Sequence, residues 1–227
     1  MIISGYFFIL NKNVIMYYCG KLHLIKIDNK FMKKIIIFVF VMASLGFIKD
    51  DVNIVETSVL VTPSSKLSVK GVTNINTFEC KYNVNQLKKP IPVIFERIGD
   101  KVVFKKTALV LDNFYFDCGG KGINSDFQKI LKTDKHPKIY LFLKELKTDN
   151  KHTSKALVHV DIKIAGLVNN YEIPVSLTGE NNMFITGKAN ISLKDFEMQA
   201  PKKLFGLIEV EDNIEIDFQL EVKEYHS

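Results

Sequence analysis

The sequence predicts an all-β domain, an antiparallel barrel or sandwich of about eight to ten strands with one or two short helices. Three observations point that way. Apolar residues recur with a period of two from about residue 54 onward, turn residues separate the alternating runs, and a single segment shows helical spacing. One-sided alternation buries one face of each strand and wets the other, as antiparallel sheets do.

Taken in order, the strand runs begin at 55–62, 66–72 and 77–84, with Pro63-Ser64-Ser65 as the first turn. Runs 91–97 and 101–111 follow, divided by Gly99-Asp100. Asn124-Ser125-Asp126 then offers helix caps, and Phe127, Ile130 and Leu131 stand at i, i+3 and i+4. That spacing predicts a short helix over 125–133, stopped ahead of His136-Pro137. Ile139, Leu141 and Leu143 resume the alternation. Ala156, Val158, Val160, Ile162 and Ile164 share one face, opposite Leu157, His159, Asp161 and Lys163. Gly166 leads to Tyr171, Ile173, Val175 and Leu177, and the Gly179–Asn182 turn leads to 184–193. Asp212-Asn213 reads as the last turn, before Ile214, Ile216, Phe218, Leu220 and Val222.

The 227 residues are 47% hydrophobic and 25% charged, which excludes a disordered, collagen-like or coiled-coil chain. Six of the 31 bases and one of the 25 acids lie in residues 1–46, leaving 25 bases against 24 acids in the remainder. The excess of positive charge therefore belongs to the leader, and the folded part carries no nucleic-acid footprint. Met32-Lys33-Lys34 precedes an uncharged apolar run of 14 residues, Ile35–Ile48, in which Ser44 and Gly46 fit the small positions before a cut. Residues 32–46 read as a signal peptide and 1–31 as a spurious extension, with Met32 the true start. The run is short against the roughly 20 residues of a bilayer span, and an uncleaved anchor is the alternative. No composition shift divides residues 47–227, which read as one domain.

Candidate chemistry is sparse. Cys80 and Cys118 are the thiols of the mature chain, and export implies an oxidising compartment. A disulfide between them would be worth about 3–4 kcal/mol in the chain-entropy model. A reactive Cys118 beside Gly119-Gly120 is the alternative. His136, His152, His159 and His226 match no zinc spacing, so no metal is expected. Glu209, Glu211, Asp212, Glu215 and Asp217 fall mostly on the outer face of an alternating strand, and no catalytic residue is assigned. Gly119-Gly120-Lys121-Gly122 lacks the spacing of a phosphate loop and reads as a turn.

Certain segments carry a resemblance. They are Ser65–Gly71, Asn124–Phe127 running to His136–Ile139, Val158–Gly166 followed by Tyr171–Val175, and Ile185–Phe196 leading through Gly206-Leu207 to 214–222. In this order they resemble the YceI-like family, secreted bacterial proteins with a lipocalin-like antiparallel barrel, in its Bacteroidetes-type variant. The likeness covers roughly residues 55–223. The chain departs from the family pattern in having no Trp, no His-Ser near the first strand, and Gln128 where many members carry a second aromatic. The resemblance implies a periplasmic or secreted protein that binds a polyisoprenoid, quinone or fatty-acid-like lipid, with transient membrane contact and no catalysis. Alternation places Phe78, Ile139, Leu141, Leu143, Val158, Val160, Ile162, Phe196, Ile216 and Phe218 as its lining. The same alternation would arise in a filled barrel serving as an envelope interaction module, and a thiol-dependent enzyme is a second rival.

Overall fold

A computed structural model describes residues 54–149, 152–180, 182–199 and 209–226. The expected signal peptide at 32–46, the extension at 1–31 and the Gly206-Leu207 link lie outside these residues. The described strands are β1 (Ile54–Val61), β2 (Lys66–Thr73), β3 (Thr77–Tyr82), β4 (Ile91–Ile98), β5 (Lys101–Lys105), β6 (Ala108–Asp112) and β7 (Phe116–Asp117). Helix α1 (Lys121–Ile130) comes next, then β8 (Lys138–Asp149), β9 (His152–Ile164), β10 (Leu167–Thr178), β11 (Met183–Ser192) and β12 (Val210–Glu224).

Every pairing among them is antiparallel. Strands β1, β4, β5, β8, β9, β10, β11 and β12 follow one another, and the β12–β1 pairing at Val61↔Val222 closes them into a ring. Strand β12 has room for two partners on one edge. Its C-terminal part pairs with β1 and its middle with β2, so β1 and β2 are one strand interrupted at 62–65. Glu221 holds that interruption: its backbone carbonyl accepts from the Thr62 N–H and its carboxylate from the hydroxyls of Thr62 and Ser64. In the same way β5 and β6 both lie along β8.

The expected continuous strand 101–111 is therefore two strands. Lys106 takes a positive φ of 55°, and the buried Thr107 turns its hydroxyl to the Ile94 N–H at 3.1 Å and its carbonyl to the Leu143 N–H at 3.0 Å. The helix starts earlier than the cap residues suggested. The Asn124 side chain accepts from the Cys118 N–H at 2.6 Å and donates to Asp117 at 3.0 Å, so it braces the preceding loop instead of capping. Helix α1 begins after Gly120 and still directs Phe127 onto Phe116, ring centroids 5.2 Å apart. Asp212-Asn213 is not a turn but part of β12, where the register against β2 slips between Val210 and Ile214.

Cys80, on β3, and Cys118, after β7, are joined as a disulfide with their Cα atoms 3.9 Å apart. This bond fastens the helical segment to the sheet at one end of the barrel. It also leaves neither sulfur free to act as a nucleophile.

Two tests follow from these contacts. Gly187 is wedged between β10 and β12: a Cβ there would lie 2.6 Å from the Phe218 ring and 2.9 Å from the Pro174 carbonyl oxygen. Gly187→Ala should cost about 1–3 kcal/mol by overpacking, read as a lowered urea midpoint. An unshifted midpoint would mean that the strands part without cost. Replacing the disulfide by Cys80→Ala with Cys118→Ser should remove about 3–4 kcal/mol for a bridge that spans 38 residues. A double variant as stable as the parent under non-reducing conditions would contradict that assignment.

Candidate ligand-binding interior

Register determines which side chains face inward. Residues 156, 158, 160, 162 and 164 of β9 are buried and pair with 175, 173, 171, 169 and 167 of β10. On β8, Leu141 and Leu143 oppose Ile162 and Val160; past an irregularity at Lys144, Leu146 opposes Val158. On β12, Ile214, Ile216, Phe218 and Leu220 oppose Ile191, Ala189, Gly187 and Ile185. The inward rows of β4 and β5 hold Val93, Phe95 and Arg97 against Phe104 and Val102.

These rows divide into two halves. At the end that holds α1 the interior is solid: Val160, Ile162 and Phe196 expose 2%, 1% and 0% of their surface. Phe196 plugs this end from a short 3-10 turn, Lys194–Phe196, with its ring stacked on Tyr171. The Tyr171 hydroxyl donates to the Asp195 carboxylate at 2.7 Å, and burial together with that carboxylate pushes the phenol pKa up. At the other end Phe95, Phe104, Leu146, Leu177, Ile185 and Leu220 all face inward yet are only half-buried. Phe95 and Phe104 tilt against each other, centroids 6.3 Å apart, and lie off the cluster of buried residues. The wall formed by β1, β4 and β5 thus presents an apolar inner surface that the core does not fill.

All ten residues placed on the lining by alternation belong to the core or pack against it. Ile139, Val158, Val160, Ile162 and Phe196 sit in its filled part. Phe78, Leu141, Leu143, Ile216 and Phe218 are half-buried at its margin, with Phe78 laid over Gly71 and Phe218 over Gly187. Alternation passed over Phe95 and Phe104, although Val93, Phe95, Val102 and Phe104 do carry the period of two. Leu146 escaped because the irregularity at Lys144 reverses the parity of β8. Two open hollows of about 630 and 550 Å³ lie across the outer face, lined among others by Lys70 and Glu215, and by Lys188 and Asp217.

The sequence model of the YceI-like domain matches residues 100–222. The chain belongs to the YceI-like family. A search of curated proteins finds no match. Among solved structures, BcnA of Burkholderia cenocepacia is similar, with 16% identity, a TM-score of 0.51, and coverage of 71% of this chain and 98% of that one. A polyisoprenoid binding domain from Saccharophagus degradans aligns at 10% identity and a TM-score of 0.52, covering 74% of this chain and 99% of its own. At these identities the likeness speaks to the fold, a lipocalin-like barrel.

Most charged groups of the described strands of this YceI-like barrel face out, with Arg97 and Glu224 on the inward rows as exceptions. Lys70 contacts Asp217 at 2.8 Å and Lys188 contacts Glu215 at 2.8 Å, forming a ladder across β2, β12 and β11. His159 lies 3.4 Å from Glu172 on the outer face, and His136 packs against Gly166. Among the described residues no group of His, Cys, Asp and Glu is arranged to hold a metal, and no helix is long and apolar enough to cross a membrane.

Among the described residues five carboxylates are held below the usual range by hydrogen bonds: Asp117 by Asn124 and then the Gly119 N–H, Asp161 by Asn170 and then Lys144, Asp212 by Ser192, Asp217 by Lys70, and Glu221 by Ser64 and Thr62. A carboxylate whose folded pKa is depressed stabilises the fold above its unfolded pKa and loses that contribution as pH falls. The melting temperature should therefore hold steady down to the ordinary carboxylate range near 4 and decline below it. A melting temperature unchanged from pH 6 to pH 2.5 would refute this assignment.

Proposed function

We propose that this YceI-like barrel holds a long apolar ligand, a polyisoprenoid, quinone or fatty-acid-like lipid, in its open half, and carries or sequesters it after export to the periplasm or beyond. The observation that carries the reading is the set of inward but half-exposed side chains on β4, β5, β8, β10, β11 and β12. Apolar surface left in water inside a barrel gains about 25 cal/mol for each Å² that a ligand covers. An extended hydrocarbon adds about 0.8 kcal/mol for every CH₂ it buries, so tail length sets affinity. No bond need be made or broken, and the reading is of a binding protein, not an enzyme. The Saccharophagus degradans neighbour, itself described as polyisoprenoid-binding, supports the same class of ligand.

Native mass spectrometry of the chain, expressed with its leader and purified without detergent, tests this directly. The expected result is a discrete added mass that solvent extraction removes. Phe104→Asp, on the open wall, should lower retention roughly ten-fold by putting a charge against the tail, in a variant whose cooperative thermal melting shows that it folds. A bare polypeptide mass, unchanged after incubation with polyprenols and quinones, would sink the proposal. Recovery of the chain from the cytoplasm with its leader intact would sink the export part alone.

A further inference from the structure

Among the described side chains of the paired inward rows of the ring strands, two carry charge, and both stand at the open end: Arg97 on β4 and Glu224 on β12. Their situations differ. The Glu224 carboxylate accepts from the Thr57 hydroxyl at 2.7 Å and lies 3.8 Å from the His226 ring. Among the described residues no carboxylate lies within ion-pairing distance of Arg97. Its guanidinium instead sits over the Phe95 ring, 5.9 Å from the centroid, on the same inward row.

The residue type is as telling as the place. Of 31 basic residues Arg97 is the sole arginine, every other being lysine. Among the described residues, lysines are paired with carboxylates, as Lys70, Lys101, Lys105, Lys144 and Lys188 are, lie over an outward ring, as Lys163 does over Tyr140, or point outward into water, as Lys147, Lys155 and Lys223 do. A guanidinium differs from an ammonium in three useful ways: it stacks on an aromatic face, sheds water more readily, and offers a planar fork of N–H donors to two oxygens at once. Partners of that geometry are carboxylate and phosphate.

We infer that the open half takes its ligand tail first, and that the ligand is an anionic amphiphile whose carboxylate or phosphate head is held at the mouth by Arg97. This rests on the proposed function, because the tail must lie in the hollow behind Phe95 and Phe104. It narrows that reading: a neutral alcohol or quinone head would leave the fork without its two oxygens, so acids and phosphates of the same tail length rank above them.

The test compares matched probes on the full chain. cis-Parinaric acid is set against its methyl ester, and farnesyl monophosphate against farnesol, so that the two pairs separate a carboxylate source from a phosphate source. The parent protein should bind at least one anionic probe about ten-fold more tightly than its neutral counterpart, as expected of a charge-assisted bidentate contact. In Arg97→Gln that ratio should fall close to one, and Arg97→Lys, a charge without the fork, should recover only part of it. Lys147→Gln, which removes an outward charge on β8, should leave the ratio as in the parent. Equal binding of both members of each pair by the parent, or a ratio that survives Arg97→Gln, overturns the inference while leaving the lipid-binding reading in place. Failure of the parent to bind any of the four probes removes both.

Discussion

Strand β12 is paired on both its edges, and the barrel depends on that double pairing. Ten of its fifteen residues, Asn213–Val222, face β11 over a continuous register on one side, and the other side is shared between β1 and β2. A single straight partner would extend the sheet without closing it. Splitting the partner at 62–65 lets β1 swing away to meet β4 while β2 remains with β3, so the sheet forks and the β1 branch closes the ring. The polar groups at the fork are all satisfied: Glu221 alone accepts from Thr62, Ser64 and Asn182, and the Ser65 hydroxyl answers the Glu221 backbone N–H. Strand ends that part in this way would otherwise leave backbone and hydroxyl groups without protein partners.

What could be read from the chain alone was the period and the face. The inward sets on β9 and β12 stand where alternation put them, because a parity of two admits only two answers and the charged side chains exclude one of them. What could not be read were the places where parity changes. The reversal at Lys144 and the break at Lys106-Thr107 are decided by pairing with strands distant in sequence, and no local residue announces them. Asn124 failed as a cap for a related reason. A short polar side chain takes whichever backbone donor is nearest, and the loop at Cys118 was nearer than the helix start.

The division of the barrel into a filled and an open half was equally hidden, since both halves alternate in the same way. Filling comes from outside the ring: Phe196 enters from a 3-10 turn, Phe116 and Leu131 from the segment around α1, and Cys80 and Tyr82 from the branch strand β3. These contributions all arrive at one end. At the other end the ring strands have only their own side chains to offer, and a ring of eight strands is wide enough either to be filled by them or to hold one small ligand.

The two halves also differ in how firmly they are held. At the filled end a covalent bridge, an aromatic stack and a buried core act on the same few strands. At the open end β5 is five residues long and meets β8 at only three register positions. Load applied to this molecule would thus be taken up unevenly, with a stiff base and one compliant panel in the wall. A long, thin guest that entered the open end tail first would press on this compliant panel, and the stiff base would keep its shape while the panel gave way.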